Sequence, residues 1–189
     1  PRIKYARTFR SENDFKSGLG KTLESLSGDK SVTGFARPFD VTGDNRGHIF
    51  VTDAVQGVML VDMNKREFKK ITCDECTFSL NNARGLAADT ARIFVGLADL
   101  GQVVVLSHDG KFLDTLGSRG SLPNPIDVVI DTLRDRVYVV DNRLHQVKVF
   151  RTNGDTLFTI GNRGLEDGEF NFPQSLAVDP SGTIYVVDA

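Results

Sequence analysis

HIFVTD at residues 48–53 recurs as RIFVGL at 92–97, RVYVVD at 136–141 and TIYVVD at 183–188, and this repeat decides the fold. The last residues of these segments, 53, 97, 141 and 188, lie 44, 44 and 47 positions apart. A second shared element precedes each of them: RPFDVTGD from Arg37, ARGLAAD from Ala83, NPIDVVID from Asn124 and FPQSLAVD from Phe172. The first three are followed by a third element, QGVMLVD, GQVVVLS and HQVKVFR, and then by a fourth, REFKKI, GKFLDTLG and GDTLFTIG. Each unit therefore reads as four short strands separated by turn residues. Four-stranded antiparallel units at this period are the blades of a β-propeller, arranged radially about a central channel. One such sheet has two apolar faces and cannot bury both alone; stacking blades face to face buries them. The second strand of each unit is almost continuously apolar, as a strand covered on both sides requires.

The chain of 189 residues is 40% hydrophobic and 25% charged with a formal net charge of -2, the composition of an ordinary globular domain. That balance gives no electrostatic reason to expect nucleic acid as the main partner, since affinity for phosphate backbones comes from clustered Lys and Arg. No apolar run approaches the roughly 20 residues needed to span a membrane. The chain starts at Pro1 without an initiator Met, so the lack of a visible signal peptide says nothing about export.

The wording of the repeat resembles the NHL family. The closest stretch is GNRGLEDGEFNFPQSLAVDPSGTIYVVD, residues 161–188, with a glycine-rich lead-in, an F-x-x-P-like start, an a-V-D-x-x-G turn and an I-Y-V-x-D strand. The resemblance covers nearly all of the chain after about residue 33 and implies an all-β propeller, typically of six blades. The second unit diverges most: Ala83 stands where the others have Pro, and Leu97 replaces the strand-ending Asp. Six blades need roughly 260 residues at this period, so about three and a half blades are expected here, in a piece of a longer chain.

The expected organisation is blade 1 over residues 33–78, blade 2 over 79–119, blade 3 over 120–163 and a truncated blade 4 over 164–189. Residues 1–10, containing RIKYARTF, resemble an outer fourth strand and are expected to close the last blade of the ring. Residues 11–32 break the pattern. Phe15, Leu19, Leu23 and Leu26 fall at helical spacing behind Ser11 as an N-cap, so a loop or short helix over one end of the channel is expected.

Repeated carboxylates dominate the candidate chemistry. Asp53, Asp141 and Asp188 recur once per blade, where strand two turns into strand three, and read as turn formers. Asp44, Asp89, Asp131 and Asp179 read the same way at the end of the first strand. Asp40 and Asp127, two residues past a Pro, have Gly85 and Ser175 as their equivalents. The innermost strand lines the channel, so Asp40, Asp127 and Ser175, with Arg37 and Asn124 just before the Pro, are the candidate ligand-binding residues of the channel mouth. Carboxylates converging there could hold a cation, Ca2+ being the candidate, although no cofactor is required by the pattern. Arg119 and Arg163, in GSRG and GNRG, occupy equivalent inter-blade loops and could face an anionic partner.

His48, His108 and His145 fall at three different positions within the blade, so no ring of imidazoles is expected and no zinc set is evident. Cys73-Asp74-Glu75-Cys76 is read first as a small loop disulfide, then as free thiols, and last as a redox pair. No phosphate-binding Gly-rich loop, nucleophile elbow or helical H-E-x-x-H is present. The favoured reading is a non-enzymatic scaffold presenting loops and a polar channel mouth to a protein or small polar ligand. The alternative is a metal-dependent propeller enzyme, lactonase- or lyase-like. The start of the chain, the cysteine pair and the resemblance imply an exported bacterial protein, in the periplasm or at the cell surface.

Overall fold

The computed structural model describes Ser11, Asp14, Phe15 and residues 34–189. The expected closing strand over 1–10 and most of the expected helix or loop over 11–32 lie outside the described residues. Fourteen strands follow in order. The first sheet holds β1 (Pro38–Gly43), β2 (His48–Asp53), β3 (Gly57–Asp62) and β4 (Glu67–Ile71). The second holds β5 (Ala83–Ala88), β6 (Arg92–Leu97), β7 (Gln102–Ser107) and β8 (Phe112–Leu116). The third holds β9 (Pro125–Asp131), β10 (Arg136–Asp141), β11 (Gln146–Phe150) and β12 (Thr156–Ile160), and the fourth holds β13 (Pro173–Val178) and β14 (Ile184–Asp188). Among these strands every pairing is antiparallel between sequence neighbours, so each four-stranded sheet is a meander and the fourth a hairpin.

Strand parity explains how one apolar run serves two interfaces, because successive side chains of a strand face opposite sides. In β3, Val58 and Leu60 join the cluster between the first and second sheets, while Met59 and Val61 face the other way toward Phe35 and Phe68. In β7, Val104 and Leu106 face back to the first sheet, and Val103 and Val105 face on to the third. In β10, Val137 and Val139 pack toward the second sheet, and Tyr138 and Val140 toward Leu176 of the fourth. The core is thus a series of slabs between consecutive sheets, and the innermost strands β1, β5, β9 and β13 touch one another in that order.

The repeated carboxylates hold this frame together. Asp53 is fully buried; its Oδ2 accepts the N–H groups of Ala36 and Arg37 at 2.8 and 2.7 Å, and its Oδ1 those of Val55 and Gln56, both at 2.9 Å. One side chain thereby ties the β2–β3 turn to the start of β1. Asp141 repeats the pattern on Asn124 and Leu144, and Asp188 takes the N–H of Asn171. The Asp at the end of each first strand closes its own turn, as Asp89 does on Ala91 and Arg92 and Asp131 on Leu133 and Arg134. Burial works against the charge of Asp53, but four N–H donors outweigh it and hold its carboxyl below the usual range.

Candidate functional site at the channel mouth

Three of the five channel-mouth candidates meet. Asp40, Asp127 and Ser175, from β1, β9 and β13, line one cavity of about 390 Å3 together with backbone of β5 around Leu86. They meet because equivalent positions of successive inner strands face the same axis. Arg37 and Asn124 are not among its lining residues; their backbone N–H groups instead cap Asp53 and Asp141. Arg119 lies in the β8–β9 loop and Arg163 in the β12–β13 loop, both exposed and both away from this cavity.

The two carboxylates do more than line the wall. Asp40 Oδ2 accepts the N–H of Leu86 in the next sheet at 2.8 Å, and Asp127 Oδ2 accepts that of Leu176, again one sheet on, at 2.6 Å. Each is an inter-sheet staple, and the other oxygen of Asp40 takes the N–H of Val41 at 2.7 Å. Partial burial pushes the Asp40 carboxyl up, the two N–H bonds pull it back, and the charge of Asp127 raises it again, to about 6. Asp40 therefore changes charge near neutral pH and can both donate and accept hydrogen bonds toward a ligand.

Where the second sheet has Gly85 in place of an Asp, backbone replaces side chain. A Cβ on Gly85 would stand 2.6 Å from the Cα of Asp127, and one on Gly96 would stand 2.4 Å from the carbonyl oxygen of Pro125. The second and third sheets approach backbone to backbone at the axis, which only glycine permits.

Cys73 and Cys76 are joined by a disulfide in the connection between the first and second sheets. Glu75, held within that small loop, accepts the N–H of Phe112 at the start of β8 at 2.8 Å. His145 is buried with positive φ, and its Nδ1 accepts the N–H of Phe172 at 3.1 Å, so it joins the third sheet to the fourth.

The three histidines form no ring, but the other two meet across neighbouring sheets. His48 and His108 come within 5.6 Å, ring centroid to centroid, with Asp44 beside both. They occupy different positions in their own units, but the stagger between neighbouring sheets sets the start of β2 against the β7–β8 turn. Period alone carries no signal of that stagger, and the sequence reading missed the pair for that reason.

Residues 126–189 match the family DUF5128, described as a 6-bladed beta-propeller. The chain has the β-propeller fold. Among solved structures the propeller resembles a chain of a nidogen/laminin complex, with a TM-score of 0.65 and 20% identity, covering 84% of this chain and 61% of that one. It also resembles the streptogramin B lyase structure, with a TM-score of 0.58 and 10% identity, covering 80% of this chain and 54% of that one. The propeller thus spans less than two thirds of the length of either. No curated protein sequence matches it. No helix among the described residues is long and apolar enough to cross a membrane.

Proposed function

We propose that this propeller is a non-enzymatic recognition scaffold of NHL type whose channel mouth binds a small polar ligand or a polar group of a partner protein. The observation that carries the reading is the cavity gathering Asp40, Asp127 and Ser175 from three sheets, each held on a strand. Its size falls within the range of small-ligand sites. Two rigidly held carboxylates favour a cationic or hydroxyl-rich guest. The likeness to a chain of a nidogen/laminin complex supports protein binding by such a fold. The Cys73–Cys76 disulfide supports an exported location, because disulfides persist in oxidising compartments.

Ligand-observed NMR with a set of amines, amino acids and sugars tests this. Hits are expected to weaken about 10-fold or more in the Asp40→Asn, Asp127→Asn double variant, the loss expected for a charge-assisted hydrogen bond. Hits with unchanged affinity in that variant would move the site elsewhere. The second reading, a metal-dependent lyase-like enzyme, draws on the carboxylate pair and the shared fold with streptogramin B lyase. Stoichiometric Ca2+ that vanishes in the Asp40→Ala, Asp127→Ala variant, together with metal-dependent turnover, would replace the scaffold reading with that one.

A further inference from the structure

We propose that Asp44, His48 and His108 form a site for a divalent transition metal of the zinc type, clamping the first blade to the second; this does not depend on the reading of the channel. The argument begins with His108. Its Nε2 stands 3.0 Å from the carbonyl oxygen of Asp89, an atom that can only accept, so Nε2 carries the hydrogen. In the neutral ring Nδ1 is then a bare lone pair, and it faces Asp44 Oδ2 at 3.8 Å. A cation between them would satisfy both lone pairs at once. The gap is too long for a direct hydrogen bond. It suits an ion bonded at about 2.1 Å to each side, as zinc is to imidazole nitrogen and carboxylate oxygen.

The surroundings are built for the same arrangement. Asp44 Oδ1 is fixed by the N–H groups of Arg46 and His48 at 2.7 and 3.1 Å, which aims Oδ2 at both rings. His48 Nδ1 lies 2.5 Å from that same Oδ2, and its Nε2 lies 3.6 Å from Asp62 Oδ2. Both histidines thus turn Nδ1 to Asp44, and the Nε2 bond of His108 to the Asp89 carbonyl is the outer-shell pattern that fixes ring orientation in metal sites. The His108 ring is seated on Phe50, 4.7 Å between centroids, and edge-on to His48.

Ion binding at Nδ1 places the His48 proton on Nε2, and opening the 2.5 Å contact by about 1 Å, to the spacing of tetrahedral ligands, turns the ring so that Nε2 must close on Asp62 from its present 3.6 Å. His48, with a side chain 27% exposed, has room for that movement. Two imidazoles and one carboxylate select zinc over calcium or magnesium, which take oxygen ligands. Three protein ligands leave the fourth position to water.

The full chain, stripped with chelator and kept oxidised so that Cys73 and Cys76 cannot compete, would be titrated with Zn2+ against a chromophoric chelator. One equivalent is expected to bind and to raise the melting temperature, and Co2+ in its place is expected to show the strong visible absorption of a tetrahedral site. His108→Ala, on a part-exposed turn, and His48→Ala are each expected to weaken binding at least about 10-fold while circular dichroism reports a folded chain. The Co2+ spectrum of the unaltered protein keeps the test decisive if a variant fails to fold. Absence of one-to-one binding by the folded unaltered chain, or affinity in both variants unchanged from that of the unaltered chain, would overturn the proposal.

Discussion

Aspartate does two opposite things in this chain, and the difference lies in how far backbone donors offset the cost of desolvation. Asp53 has four backbone N–H groups on its two oxygens and stays charged despite full burial. Asp40 is desolvated with only two such groups against it and a carboxylate nearby, and its pKa rises to about 6. The consequence for stability has a definite sign. A carboxyl whose folded pKa exceeds its unfolded value takes up a proton on folding between the two. Asp40 therefore weakens the fold as pH rises from about 4 through about 6, the reverse of Asp53. Asp40→Asn keeps an acceptor for one N–H and cannot ionise. Thermal melts from pH 4 to 7 are expected to show the unaltered chain losing ground to Asp40→Asn by roughly 1 kcal/mol after solvent screening. Parallel melting curves for the two would show that Asp40 titrates normally.

Between strands, the unit that matters is the contact of one inner strand with the next. Asp40 and Asp127 each reach one sheet forward, whereas β5 offers Gly85 and lets β9 come close. Gly85→Asp copies the residue found at the equivalent place in two other units, and repeat logic alone would rate it an improvement. Its Cβ would meet the Asp127 backbone at 2.6 Å, which backbone cannot yield cheaply. The variant is expected to lose about 2 kcal/mol or more in urea denaturation, the penalty of overpacking; a gain in stability would mean that the sheets separate freely at the axis. This position also marks how far the sequence could be read. Strand order, parity and the turn-forming Asp53 and Asp141 were legible because each depends on spacing within one unit. Gly85, the stapling role of Asp40 and the meeting of His48 with His108 were not, because they depend on how far one sheet is rotated and shifted against the next. Nothing in a 44-residue period encodes that offset.

At the scale of the whole chain, the slabs between sheets make stability a sum of neighbour terms rather than one shared core. The strands that face two slabs should then be the last to open. β6 and β10 carry five buried residues each, drawn on by clusters on both sides, whereas the outer strand β8 has one buried residue and leaves Leu113 44% exposed. Amide exchange reports such differences directly, because protected amides exchange only when their unit opens. Mass-spectrometric hydrogen exchange under native conditions is expected to find the slowest amides in β6, β7 and β10 and faster ones in the outer strand β8. Binding of an ion between the first and second blades should slow β2 and the β7–β8 turn while leaving β14 unchanged, since each slab couples only to the next. Uniform protection from β2 to β14 would instead mean that the sheets open together, and that a clamp at one blade interface is felt across the entire molecule.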